Sequence, residues 1–225
     1  MRGMILAAGR GQRMGALTES IPKPLLSVAG HYLIEYAIYQ LVQYGITDIV
    51  INVSYRGEQI KSALGDGSRY GATFLYSEEE VALETGGGIV NVLSFFEQKP
   101  FVVLSSDVIS DYPLSRLFSP FTGLAHLILV NNPTYHPEGD FVLRNNQLYL
   151  SGGPMLTFAN IGMYHPDLFR GCQPNHFRLG DLLKKAISQH SVSGEVYQGL
   201  WYNIGTQADW LWVNEWIDSH PISLF

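Results

Sequence analysis

The chain has 225 residues, of which 46% are hydrophobic and 15% charged, and its formal net charge is −6. This length and composition predict one compact globular domain. The acidic balance argues against a nucleic-acid partner, because proteins that bind nucleic acids present a basic surface. No run approaches the roughly 18 apolar residues of a membrane-spanning helix, so no membrane partner is expected.

The cysteine content and the N-terminus indicate the compartment. Cys172 is the only cysteine, which excludes an internal disulfide and argues against a cysteine-based zinc site. The first residues lack the long apolar core of a signal peptide. A solitary thiol suits a reducing environment, and we therefore expect a cytoplasmic protein.

Apolar runs and amphipathic segments alternate along the chain, which is the pattern of a wound α/β sheet. The predicted elements of the first half are strand 4–8, helix 33–44, strand 48–53, helix 58–64, strand 73–76, helix 88–96 and strand 101–105. Those of the second half are strands 125–130, 141–143, 147–150 and 158–164, helix 179–189, strand 199–204 and helix 207–217. Asn145-Asn146 predicts a hairpin turn between two of these strands. We expect a single domain over residues 1–225.

The first strand runs into a glycine loop, Gly9-Arg10-Gly11-Gln12-Arg13-Met14. Glycine allows backbone N–H groups to approach a phosphate closely, and Arg13 and Lys23 supply two cations for the same anion. A dinucleotide fingerprint would need glycine in place of Met14, and the Gly-Lys-Ser/Thr of a P-loop does not occur. The loop predicts a nucleoside triphosphate site of another kind, and its alternative is a glycine-rich turn with two solvated cations.

The pattern L-A-A-G-x-G-x-R-M, followed by K-P-L, resembles the signature of the sugar-1-phosphate nucleotidyltransferases. Further segments continue the resemblance in the family's order: residues 33–36, 65–68, 84–88, 106–108, 139–141 and 201–206. The resemblance implies an enzyme with a Rossmann-like nucleotidyltransferase fold, a mixed sheet flanked by helices, acting as a monomer or small homo-oligomer. It also implies a nucleotide-binding half of about residues 1–110, a sugar-binding half of about 111–225 with a small inserted sheet, and no C-terminal β-helix.

The implied reaction joins a sugar 1-phosphate to a nucleoside triphosphate and releases pyrophosphate. Because the attacking phosphate oxygen is already anionic, the reaction needs in-line placement and relief of charge repulsion more than a general base. Mg²⁺, or Mn²⁺ in its place, is the expected cofactor. Asp107 follows a buried strand, at the edge where ligands gather in open α/β sheets, and suits Mg²⁺. The second expected metal ligand is Asn203, which stands where the family's W-x-D-x-G-T motif has an aspartate.

The resemblance also assigns roles to individual residues. The expected catalytic residues are Arg13, Lys23 and Asp107. The expected nucleotide-binding residues are Ala8, Gly9, Gly11, Gln12, Arg13, Lys23, Glu84, Thr85, Gly86, Gly87 and Ser105. The expected sugar-binding residues are Asp140, Asn160 and Gly162. The glycines of residues 86–88 either admit a flat base against the backbone or form a tight helix entry.

Three functions remain open at the level of sequence. The Glu-Thr-Gly-Gly-Gly run, the Gly-Asp-Phe and the short length most resemble uridylyltransferases that act on N-acetylmuramate 1-phosphate in bacterial cell-wall sugar recycling. A mannose- or heptose-type 1-phosphate guanylyltransferase is the first alternative. The second is a noncatalytic sugar-nucleotide-binding regulator, which Asn203 favours and which Arg13, Lys23 and Asp107 disfavour.

Overall fold

The structure, a computed structural model, describes residues 1–119 and 123–220. Its strands are β1 (Gly3–Leu6), β2 (Ser27–Val28), β3 (His31–Tyr32), β4 (Asp48–Val53), β5 (Thr73–Glu78), β6 (Phe101–Ser105), β7 (Val108–Ser110), β8 (Ala125–Val130), β9 (Phe141–Arg144), β10 (Gln147–Tyr149), β11 (Met155–Tyr164), β12 (Val192–Val196) and β13 (Trp201–Asn203). Its α-helices are α1 (Leu17–Ser20), α2 (Leu33–Gln43), α3 (Gly57–Leu64), α4 (Glu84–Asn91), α5 (Leu179–Ser188) and α6 (Gln207–Ser219). The domain predicted over residues 1–225 also covers residues 120–122 and 221–225, which lie outside the residues that the structure describes.

A nine-stranded mixed sheet in the order β5-β4-β1-β6-β11-β8-β12-β10-β9 forms the centre of the molecule. Strands β5, β4, β1 and β6 are parallel neighbours, whereas β11 is antiparallel to both β6 and β8. The far edge curls back, because β9 also pairs with the first residues of β11. Strands β8 to β12 of the second half thus continue the main sheet instead of forming the expected small inserted sheet, whereas β13 pairs with β7 in a separate two-stranded sheet.

Both faces of the parallel strands are covered, which explains why these strands read as continuous apolar runs. Ile5 and Ile51 are fully buried on one face, in the same core as Ile38 of α2. Met4 and Val50 are fully buried on the other face, in the core that packs under α4 and α5. Successive residues of one strand therefore serve opposite cores, as the pleat requires.

Most of the predicted elements are present, with boundaries shifted by a few residues. Asn145 and Asn146 have φ of 50° and 60°, and they connect β9 and β10 as the predicted hairpin turn. The helix predicted over residues 88–96 is wrong in its bounds. Helix α4 begins at Glu84 and includes the three glycines, and a 3₁₀ turn follows at Leu93–Phe96. No helix in the described residues is both long and apolar enough to span a membrane.

Candidate active site

Three adjoining cavities form one cleft beyond the carboxyl ends of β1 and β6, with volumes of about 730, 410 and 330 Å³. The largest is bordered by the glycine loop, Asp107 and the start of α4. It shares Arg178 with the second cavity and Arg13 with the third. The second and third cavities meet at Asp140 and Asn160. Ligands of α/β sheets bind at this edge, so the cleft is the candidate site.

The glycine loop lines the largest cavity with Ala8, Gly9, Gly11, Gln12 and Arg13. Gly11 has a φ of 65°, and a Cβ there would lie 2.9 Å from Cβ of Lys23. A side chain at residue 11 would therefore be strained and would displace Lys23. The loop and the lysine fit together only with glycine at this position.

Lys23 and Asp107 are in direct contact at the floor of this cavity. Nζ of Lys23 donates to Oδ2 of Asp107 at 2.6 Å, and Oγ of Ser105 donates to Oδ1 at 2.6 Å. Burial by itself raises the pKa of Asp107, but the Lys23 ammonium and the two hydrogen bonds outweigh it and hold that pKa below its ordinary value. Asp107 is therefore an ionised carboxylate, and the hydroxyl of Ser105 is oriented toward it.

Asn203 is brought beside Asp107 by the short antiparallel pair β7–β13. Asn203 lies opposite Val108, and the N–H of Ile204 donates to the carbonyl oxygen of Asp107 at 2.9 Å. The side-chain Oδ1 of Asn203 is buried and has no hydrogen-bond partner within the described chain. An unpartnered buried oxygen is costly unless something else satisfies it, and this amide oxygen fits a cation ligand.

The glycines of α4 have a different environment from the one expected of a base-binding run. Gly86 and Gly87 line none of the three cavities. Their N–H groups donate to the carbonyl of Phe177 at 3.0 and 3.3 Å. A Cβ on Gly86 would overlap the ring of Phe177, and one on Gly87 would overlap the carbonyl oxygen of Asn175. The structure agrees with the second interpretation of this run: the glycines form a tightly packed start of the helix, and residues 175–178 pack against α4. Glu84 and Thr85, at the start of the helix, do line the cleft.

Asp140 and Asn160 lie together where the second and third cavities meet. The carboxylate of Asp140 accepts from the N–H of Phe158 at 2.8 Å and lies 3.2 Å from Nε2 of His136. Asn160 has a φ of 58° and lies at a β-bulge of β11, where the register of the pairing with β8 shifts. Gly162 is buried between Val103 and Leu127 on the two neighbouring strands and lines none of the cavities. Gly162 is therefore a packing position, outside the candidate site.

Three further residues of the cleft escaped the sequence analysis. Asn52 accepts from the N–H of Ala7 at 2.9 Å and donates to Oε1 of Glu79 at 2.8 Å. The sequence does contain a signal for Asn52, because a polar residue within an otherwise apolar strand indicates a specific role. Tyr135 lines the third cavity with Asn203. Tyr135 and Arg178 belong to polar loops, so the sequence gives no sign that they face a cleft.

The fold is a wound α/β sheet with a cleft, bordered by a glycine loop, at the carboxyl ends of its strands. The chain belongs to the nucleotidyl transferase family, whose model matches residues 2–141. It is 43% identical to the N-acetylmuramate alpha-1-phosphate uridylyltransferase of Neisseria meningitidis serogroup B, over 92% of this chain and 94% of that protein. It is 38% identical to the mannose-1-phosphate guanyltransferase of Gibberella zeae, over 53% of this chain and 34% of that protein.

A solved structure confirms the predicted fold class. The inositol-1-phosphate CTP transferase from T. maritima superposes with a TM-score of 0.79, covering 92% of this chain and 90% of that one at 20% identity. An identity this low supports the fold alone. The wound mixed sheet flanked by helices, expected from the alternation of strands and helices, is thus the architecture of the family.

Proposed function

We propose that this protein transfers a uridylyl group from UTP to N-acetylmuramate 1-phosphate, giving the nucleotide sugar and pyrophosphate. The observation that carries this proposal is the 43% identity to the Neisseria uridylyltransferase along nearly the whole of both chains. Identity to the mannose-1-phosphate guanyltransferase covers only about half of this chain. The product would serve cell-wall sugar recycling, and the cytoplasm, which supplies UTP, is the proposed location.

The cleft has the parts that this reaction needs, in adjoining positions. The largest cavity, with the backbone of Gly9 and Gly11 and the side chain of Arg13, would bind the triphosphate. The second cavity, with Asp140 and Asn160, would bind the sugar. The attacking phosphate oxygen would then approach the α-phosphorus at the border of the two cavities, so that binding itself supplies the in-line placement.

We assign the charge compensation to two side chains. Arg13 would hold the departing pyrophosphate, because it borders both the largest and the third cavity. Lys23, only 9% exposed and fixed by its contact with Asp107, would face the α-phosphate. Preorganised cations of this kind stabilise developing charge without reorganising during the reaction.

The donor set fits a divalent cation of the Mg²⁺ type. Asp107 offers an ionised carboxylate and Asn203 an unpartnered buried amide oxygen. Within residues 1–119 and 123–220, no cluster of three or more His, Cys, Asp or Glu side chains could hold a metal. Mg²⁺ typically uses one or two carboxylates together with substrate phosphates and water. When bound here, it would neutralise phosphate charge.

Pyrophosphate release tests the proposal directly. The purified protein would be incubated with Mg²⁺, with either UTP or GTP, and in turn with the 1-phosphates of N-acetylmuramate, N-acetylglucosamine, mannose and heptose. We expect the fastest release with UTP and N-acetylmuramate 1-phosphate. A preference for GTP and mannose 1-phosphate would support the guanylyltransferase alternative. Binding of the substrates without release in any combination would support the noncatalytic alternative.

A further inference from the structure

Two basic side chains of α5 and its N-cap line the second cavity. Arg178 is the N-cap residue of α5, and Lys184 lies almost two turns further along the helix. Arg178 also borders the largest cavity, so it stands at the boundary between the proposed nucleotide and sugar pockets. The next residue, Lys185, lines none of the three cavities. Of the three basic residues of this segment, only Arg178 and Lys184 therefore contribute positive charge to the lining of the cavity.

Half of the Lys and Arg side chains in the described chain, Arg178 and Lys184 among them, have no carboxylate within 4.0 Å. Arg2, Lys23, Lys61, Arg69, Lys99, Arg116 and Arg170 each form an ion pair. In the described chain, neither Arg178 nor Lys184 lies within 4.0 Å of a carboxylate. Arg13, which lines the phosphate cavity, shares this property. Unpaired cations inside a cleft of an acidic protein favour an anionic ligand.

The segment that carries Arg178 is held rigidly against α4. The N–H of Phe177 donates to the carbonyl of Leu83 at 3.2 Å, and the N–H of Leu179 donates to Oγ1 of Thr85 at 3.0 Å. The N–H groups of Gly86 and Gly87 donate to the carbonyl of Phe177. Hydrogen bonds thus fix the backbone on both sides of Arg178. The Cα of Arg178 is therefore held in a fixed position at the boundary of the two cavities, although its exposed side chain can still adopt several rotamers.

The carboxylates of the second cavity are suited to hydroxyl groups. Asp140 accepts a hydrogen bond from the N–H of Phe158, and its carboxylate lies 3.2 Å from Nε2 of His136. Glu84 lies 3.7 Å from Nε2 of His176, and Asp181 belongs to the first turn of α5. A carboxylate accepts hydrogen bonds from sugar hydroxyls but repels an anion. The anionic group of a ligand should therefore contact Arg178 and Lys184.

N-acetylmuramate differs from N-acetylglucosamine by a lactyl ether on the sugar ring, which ends in a carboxylate. Resting on the function proposed above, we propose that Arg178 and Lys184 form a carboxylate subsite that binds the lactyl group of N-acetylmuramate 1-phosphate. This pair of cations would determine the specificity of the sugar pocket. Arginine is suited to this role because its guanidinium binds carboxylates in a bidentate manner.

The test compares two sugar phosphates that differ only in the lactyl group. N-acetylmuramate 1-phosphate and N-acetylglucosamine 1-phosphate would be compared by kcat/KM with UTP and by calorimetric Kd, for the wild type, Arg178→Gln and Lys184→Gln. We expect each substitution to lower the affinity and kcat/KM for N-acetylmuramate 1-phosphate about tenfold, which is the scale of one charge-assisted hydrogen bond. Binding of N-acetylglucosamine 1-phosphate and the KM for UTP should change less than about twofold, because neither contains the lactyl carboxylate.

Two control variants separate lost charge from altered structure. Lys185→Gln removes the same charge from the same helix but outside the cavity, and should leave both sugar affinities unchanged. Arg178→Lys keeps the charge and should retain much of the discrimination that Arg178→Gln loses. If both sugars lose affinity equally, or the KM for UTP rises, Arg178 binds phosphate and the subsite is wrong. If neither sugar is affected, the subsite is also wrong. If the wild type does not convert N-acetylmuramate 1-phosphate at all, the proposed function itself fails.

Discussion

The ammonium of Lys23 lies 2.6 Å from the carboxylate of Asp107, although 84 residues separate them in the chain. Both side chains are largely shielded, with 11% and 24% of their surface exposed. The contact ties the segment after the glycine loop to the end of β6. Two residues that the sequence assigns to separate tasks, phosphate binding and metal binding, therefore form one electrostatic unit.

Lys23→Met should reduce pyrophosphate release by about 10²-fold, the scale for losing one preorganised charge-stabilising group. It should also lower the free energy of unfolding by about 1–3 kcal/mol, because Asp107 then keeps a shielded charge without its cation. Denaturant unfolding and initial rates measure the two effects.

The double variant Lys23→Met/Asp107→Asn separates stability from activity. Since it removes both charges, it should recover part of the lost stability, as coupled residues do, while its activity stays low. If the stability losses of the two single variants simply add, the pair is not coupled and the first prediction is contradicted.

Asn203 should control the Mg²⁺ requirement. Asn203→Asp adds a negative charge beside Asp107 and should lower the half-activating Mg²⁺ concentration, because a charged oxygen binds a hard dication better than an amide does. Asn203→Leu removes the unpartnered oxygen and should raise that concentration while leaving folding nearly unchanged. Titration of Mg²⁺ against initial rate measures this. The same concentration in all three proteins would mean that Asn203 is not a ligand.

The cleft could be predicted from sequence only where each residue carries its own local signal. Gly11 and Lys23 stand in a contiguous motif, and Asp107 follows an apolar strand whose parallel partners place its end at the ligand edge. Arg178 has no such signal, since its cavity is built by α4 and β11, which are distant in sequence. The close packing of the α4 glycines could not be predicted for the same reason, because the motif gives no sign of the Asn175 carbonyl that restricts Gly87.

Gly87→Ala should destabilise the protein by about 1–3 kcal/mol, the scale of overpacking, because the added methyl group would overlap the carbonyl oxygen of Asn175. Gly180→Ala provides the matched control. Gly180 lies in α5 with no atom within 4 Å of an added Cβ, so alanine should stabilise that helix by about 0.5–1 kcal/mol. Thermal unfolding of both variants tests the difference in sign, and equal shifts would contradict the close packing.

Asn52→Leu should destabilise the protein and weaken triphosphate binding together. It would leave the N–H of Ala7 and the carboxylate of Glu79 without this partner, at about 1–3 kcal/mol for each group. The KM for UTP should rise because the N–H of Ala7 adjoins the glycine loop.

Asn91→Ala is the matched control for Asn52. It removes one hydrogen bond, from the exposed Asn91 to the buried hydroxyl of Ser77, and the loss of a single hydrogen bond of this kind costs about 0.5–1.5 kcal/mol. If the Asn52→Leu variant were as stable as Asn91→Ala, the buried hydrogen bonds of Asn52 would not contribute to the stability of the protein.

Strand β11 has a consequence for how the protein melts. Its residues Ile161–Tyr164 pair with β6, which lies in the first half of the chain, while its first residues close the opposite edge against β9. Neither half can detach without breaking the ladder of the other, so both should unfold in one cooperative transition. Removal of the second half of the chain would leave β6 as an unpaired sheet edge, which could pair with other chains. The first half is therefore not expected to persist as a separate module.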